Sequence, residues 1–159
     1  MVAYEQGKRK NGTPVLPERS NPSAVLQEEG GFFSLGFGGW ITVKFARPIK
    51  QGEEIAVITV IDETGGVYPE KKAEVFVSQD GENWYSAGYA KNSDNRKDNR
   101  SYTELALPEG LPWAQYVKIV DCSDRAIHAN DADGYDVVVI KARNFLECEV
   151  VNWNPGSCH

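Results

Sequence analysis

From Phe32 onward, apolar and polar positions alternate in short runs separated by turn-forming residues. In residues 40–45, Ile41, Val43 and Phe45 face one side while Trp40, Thr42 and Lys44 face the other, the period of two of a half-buried strand. Arg47-Pro48 and Gln51-Gly52 then break it. Residues 55–61 (IAVITVI) are β-branched and apolar on both faces, as a central strand covered twice requires. Residues 74–78 form the next strand and lead into Gln79-Asp80-Gly81-Glu82. Asp-Gly supplies the positive φ of a tight hairpin, so residues 84–87 return antiparallel. The segment 91–100 (KNSDNRKDNR) contains no apolar residue and predicts an exposed loop. Residues 102–107 alternate again until Pro108 and Pro112, and 114–120 (AQYVKIV) is a further strand. A long polar loop over 121–134 precedes a second buried strand over 135–142, which carries Val137-Val138-Val139-Ile140. Residues 145–151 continue that strand or pair beside it. No stretch sustains a helical period and no internal repeat is present. Seven to nine short strands in one domain predict an all-β sandwich or barrel.

Composition narrows the class. At 159 residues the chain is one domain in size, able to bury roughly 68–70% of its unfolded surface. Hydrophobic residues make up 41%, so the chain is globular rather than disordered. No run approaches the ~18 apolar residues of a membrane helix. A net charge of −6 argues against a binder that tracks nucleic-acid phosphates with a dense basic face. Three cysteines are too few for a disulfide framework and match no zinc spacing. Cys148 and Cys158 could pair across Asn154-Pro155-Gly156, leaving Cys122 over. The opening MVAYEQGKRK lacks the apolar segment of a signal peptide, which fits a cytosolic chain or one that begins after a removed signal. Residues 1–20, polar and broken by Gly12, Pro14 and Pro17, read as an arm; 21–151 is the folded unit and 152–159 a tail.

Strand parity predicts where chemistry collects. In an antiparallel sandwich, alternate connections emerge at the same end. One end then carries the short connections 46–53, 79–83 and 108–113. The other carries 36–39, 62–72, 91–101 and 121–134. Long loops on a rigid scaffold are where binding groups sit, so the long-loop end is the expected site.

Three stretches carry a family likeness. Glu74-Val75-Phe76-Val77-Ser78-Gln79-Asp80-Gly81-Glu82-Asn83-Trp84 resembles the strand–DG–Trp hairpin of discoidin, or coagulation factor C-type (F5/8 type C), domains. Ala114-Gln115-Tyr116-Val117-Lys118-Ile119 resembles a later strand of the same family, with Gln115 where arginine is usual. Asp133-Gly134-Tyr135-Asp136-Val137 is similar to the entry of the last strand in bacterial secreted relatives, which also carry something like Phe33-Ser34-Leu35-Gly36-Phe37-Gly38-Gly39. The likeness implies an antiparallel jelly roll of about eight strands, of the galactose-binding-like type and usually extracellular. It further implies glycans, lipid head groups or proteins as partners, and commonly a structural calcium. Two departures stand out: Val138 replaces a second acid found in those relatives, and no cysteine precedes Cys122 to form the discoidin disulfide.

The run Asn130-Asp131-Ala132-Asp133-Gly134-Tyr135-Asp136 offers the hard oxygens and sharp turn that calcium takes. Asp131, Asp133 and Asp136 are therefore candidate ligands, with Asp62 or Glu63 completing the shell from the same end. The alternative is a solvated acidic turn in which Asp131 caps a short 3₁₀ segment. Asp136 is the leading ligand, because its neighbours Tyr135 and Val137 lie on the opposite face and an acid on a buried-strand face needs a cation or several donors. Tyr68 and Tyr135 are candidate rings for stacking on a sugar, with Arg96, Arg100, Arg125 and His128 as hydrogen-bonding neighbours. Trp84 reads as a packing residue. Catalysis has little support: His128 is the one internal histidine, and no nucleophile elbow, zinc helix or phosphate loop occurs. With 23 acids, a carboxylate pair at the ~5–10 Å separation of a glycosidase arises by chance. The expectation is a non-catalytic, extracellular, calcium-stabilised module that binds a glycan or cell-surface ligand. The alternatives are an assembly domain of a larger surface protein and, third, a small calcium-dependent hydrolase.

Overall fold

The computed structural model describes residues 2–27, 31–50, 56–63 and 69–144. Among these lie nine strands: β1 (Val2–Glu5), β2 (Phe33–Ser34), β3 (Trp40–Lys50), β4 (Ala56–Glu63), β5 (Lys72–Ser78), β6 (Tyr85–Lys91), β7 (Arg100–Ala106), β8 (Trp113–Asp121) and β9 (Asp136–Asn144). They form two antiparallel sheets, ordered β1-β3-β8-β5-β6 and β2-β9-β4-β7, packed as a sandwich. The β-sandwich expectation holds, with one more strand than the eight anticipated.

Alternation builds the core as the sequence pattern required. Ile41, Val43 and Ile49 of β3, Val117 and Ile119 of β8, and Val75 and Val77 of β5 are buried between the sheets. They meet Ile58 and Val60 of β4 and Val137 and Ile140 of β9. Ile61, Val138 and Val139 form a second buried cluster with Phe32 and Tyr102 packed against it, so the doubly apolar strands are covered on both faces. At the end of this pair, Ile61 sits opposite Val139 and Asp62 opposite Val137, which leaves Val138 as an extra, bulged residue. Bulges of this kind re-aim the side chains that precede them, here those entering the loop end of β9.

Two expectations change. β3 does not stop at Arg47-Pro48; it runs on to Lys50 across an irregularity between Lys44 and Ile49, where a ladder break tolerates proline. The first twenty residues do not form a free arm. Val2–Glu5 adds an edge strand to β3, and Lys10 and Asn11 donate backbone hydrogen bonds to Ala132 and Asn130. Polar composition concealed this because an edge strand and a laced loop bury backbone rather than side chains. Phe145–Val151, Cys148, Cys158 and Tyr68 lie outside the described residues.

Candidate functional site: a cleft at the long-loop end

The four long connections meet at one end of the sandwich. Gly36 N donates to Asp133 O, Asp121 N to Gly39 O, Cys122 N to Lys72 O and Asn92 N to Lys71 O. Asp121 ties the 36–39 loop to both ends of the 121–134 loop: its carboxylate accepts from Gly38 N (3.1 Å), Tyr135 N (2.9 Å) and Ser123 Oγ (2.8 Å). Burial pushes its pKa up against these hydrogen bonds. Gly134, at φ +77°, is needed here: a Cβ would stand 2.9 Å from Asp121 Oδ1.

Between the loops opens a cleft of about 450 Å³. One wall is Glu63, Pro69 and Lys71; the other is the segment from His128 to Gly134 with Asp136. Arg19 and Phe32 close the third side, the guanidinium lying 5.0 Å from the Phe32 ring centre and bonding Asp133 at 2.8 Å. Glu63 is held by Arg100 Nε at 3.2 Å.

Of the five acids expected as metal ligands, Asp62 and Asp136 meet, and a lysine stands between them. Lys71 Nζ is 2.8 Å from Asp136 Oδ2 and 3.3 Å from Asp62 Oδ1, and it donates to the Glu63 carbonyl at 3.2 Å. Ser34 Oγ donates to the other Asp136 oxygen, and Asp136 N donates to Asp62 Oδ1 at 3.1 Å. Asp62 is fully buried, and Lys71 and Asp136 are nearly so. Burial pulls the Lys71 ammonium down, but the charges of Asp136 and Asp62 outweigh it and hold its pKa above the usual value. One ammonium faces two buried carboxylates, so one of them carries a surplus charge. Burial, opposed by Lys71 and reinforced by Asp133 and Asp62, pushes Asp136 up to about 7. This donor set fits an ammonium rather than a divalent ion. Among the described residues no group of three or more His, Cys, Asp or Glu is arranged to hold a metal. Asp131 is exposed on the cleft rim, and the 3₁₀ turn Arg125–Ile127 is capped by Asp124 rather than by Asp131.

The expected ligand-binding side chains are divided. His128 lines the cleft, its Nε2 3.1 Å from the Glu70 carbonyl and its ring edge-on to Phe37. Arg100 reaches the cleft through Glu63. Arg125 turns to the N-terminal segment, bonding the Lys10 carbonyl at 2.7 Å and lying over Phe37. Arg96 is exposed on the neighbouring loop. Tyr135 is fully buried in the core, so its ring offers no face to a sugar; the bulge at Val138 and the hydrogen bond to Asp121 turn it inward. Arg19, Phe32 and Lys71 were not anticipated. Lys71 had a signal: two acids on buried strands demand a cation, and Lys71 and Lys72 are the basic pair leading into β5.

No protein-family model and no curated protein sequence matches the chain. Solved structures do. The F5/8 type C domain of a Bacteroides fragilis protein superposes with a TM-score of 0.54 at 14% identity, covering 91% of this chain and 91% of that one. A pectin-binding carbohydrate-binding module gives 0.52 at 16%, covering 92% and 91%. The CBM32 of AlyQ, in complex with 4,5-unsaturated mannuronic acid, gives 0.53 at 11%, covering 91% and 93%. The fold is that of the discoidin-like sandwiches. At these identities the likeness speaks for architecture and leaves ligand chemistry to the residues of the cleft.

Proposed function

We propose that this chain is a non-catalytic glycan-binding module that holds its ligand in the long-loop cleft. The observation that carries the reading is the composition of that cleft. Phe32 supplies an aromatic surface beside Arg19. Glu63, Asp131, Asp133 and Arg19 set hydrogen-bonding groups of both kinds around a space that suits a mono- or disaccharide. Sugars need this combination, because each ring has a C–H face to stack and a rim of hydroxyls that both donate and accept. Discoidin-like structures named for binding pectin, and one solved with a mannuronic acid, support a glycan as the ligand class. An extracellular or cell-surface setting, within a larger protein, accords with that use.

Hydrolysis is disfavoured by how the acids are engaged. Asp133 is paired with Arg19 and Glu63 with Arg100, and both oxygens of Asp136 are taken by Lys71 and Ser34. In this reading Lys71, rather than calcium, neutralises the acidic loops. A glycan array probed with the native protein and with Arg19→Ala tests the proposal. Binding to a related group of glycans, weakened at least tenfold in the variant, is expected. Silence across the array, together with self-association, would instead favour the assembly-domain alternative.

A further inference from the structure

The outer face of the five-stranded sheet is built unlike an ordinary solvent-facing sheet, which alternates buried residues with small polar ones. Strand register sets Thr42, Lys118 and Phe76 side by side, and Trp40, Val120, Glu74 and Tyr89 in the next row. Lys44 lies opposite Tyr116. Trp84, leading into β6, joins the same face and meets Tyr116 edge-on at 6.5 Å. None of these five aromatic rings is buried, and Tyr89 is 45% exposed.

Four of the five rings lie under a lysine ammonium. Lys118 Nζ lies 4.5 Å from the Trp40 ring centre and 5.4 Å from that of Trp84. Lys72 Nζ is 4.2 Å from Tyr89, and Lys44 Nζ is 5.5 Å from Tyr116. Among the described residues none of the three lysines is ion-paired with a carboxylate. The face bears these three positive charges, with Lys91 opposite Lys72, against Glu74 and Glu5, in a chain whose net charge is −6. It is therefore the reverse in sign of the whole molecule.

We propose that this face is a second binding surface, for a carboxylated polysaccharide chain. Ring planes stack on the C–H faces of successive sugars, and each ammonium, already held over a ring, bonds a sugar carboxylate beside it. The sparse charge argues for a polyuronate over nucleic acid. Duplex DNA carries one charge per ~1.7 Å of axis, and three lysines on an acidic protein cannot match that density. The site lies on a different surface from the cleft and does not depend on it. Lysine stems over rings also shield carbon from water, so the test must separate charge from cover.

Affinity electrophoresis through gels containing polygalacturonate, alginate or hyaluronate, each read against a polysaccharide-free gel, makes that separation. Fully methyl-esterified polygalacturonate serves as the neutral control. The native protein is expected to be retarded by at least one of the acidic polymers and not by the ester. Lys44→Gln/Lys72→Gln/Lys118→Gln should lose at least tenfold in affinity, while the corresponding triple arginine variant retains it. Arg19→Ala, altered in the cleft alone, should be retarded like the native protein, so failure of the cleft reading and failure of this one are distinguishable. Thermal melting within a few degrees of native, about the shift expected from surface substitutions, verifies that the glutamine variant is folded. No retardation by any acidic polymer, equal retardation of the glutamine variant, or retardation by single-stranded DNA alone would overturn the proposal.

Discussion

Removing the Lys71 side chain is the sharpest perturbation of the candidate site. Lys71→Ala leaves Asp62 and Asp136 in the protein interior without their ammonium, and it frees the Glu63 carbonyl. Breaking a buried ion pair from one side costs about 3–5 kcal/mol, because the remaining charge stays desolvated. For a chain of this size each kcal/mol lowers the melting midpoint by about 2–4 °C, so a fall of about 6–20 °C is expected near neutral pH. The loss should shrink toward pH 5, where the abandoned carboxyls take up protons, and grow toward pH 8. Differential scanning calorimetry across that range reads both effects. A triple variant, Lys71→Met with Asp62→Asn and Asp136→Asn, removes every charge in the cluster and should recover much of the loss. A Lys71→Ala shift below about 2 °C that does not vary with pH would refute the argument that this ammonium neutralises the cluster.

Asp136 has a folded pKa raised to about 7, so between the unfolded value and 7 the native state holds a proton the unfolded chain does not. Stability from this group is therefore greatest near pH 4 and falls as pH rises toward 7, at up to about 1.4 kcal/mol per pH unit; Asp136→Asn should remove that slope, read as the native-minus-variant difference in midpoint. Gly134→Ala combines a left-handed φ with a Cβ against Asp121 Oδ1, and should lower the midpoint by about 4 °C or more, more than Gly110→Ala, which has the same φ sign in open space. Added calcium should leave the midpoint of the native protein unchanged, because the Lys71 ammonium fills the space among Asp62, Asp136 and the Glu63 carbonyl; a rise that EDTA reverses would count against that assignment.

Much of the scaffold was legible in the sequence. Alternation in residues 40–45 and 114–120 located β3 and β8, and the Asp80-Gly81 pair located the hairpin between β5 and β6. Gly81 does take the positive φ expected of it. Parity of antiparallel strands put the 62–72 and 121–134 connections at a common end, which the contacts of Cys122 N with Lys72 O and of His128 Nε2 with Glu70 O bear out. Alternation fails where a bulge resets it. Val138 shifts the phase of β9, so Tyr135 points into the core rather than into solvent. The N-terminal strand was hidden because a four-residue edge strand exposing Ala3, Tyr4 and Glu5 has no buried face to read. Lys71 was missed for a different reason. Clustered acids can be neutralised by a metal or by a side chain, and only three-dimensional placement decides between them.

The cleft itself is the central claim, and nitrogen-15 NMR titration of the native protein with the strongest array glycan tests it directly. The account predicts saturable shift changes at Arg19, Phe32, Glu63 and the backbone from His128 to Gly134, with the short loops around Asp80 and Pro108 unmoved. Changes confined to the short-loop end, or absent at saturating ligand, would contradict it.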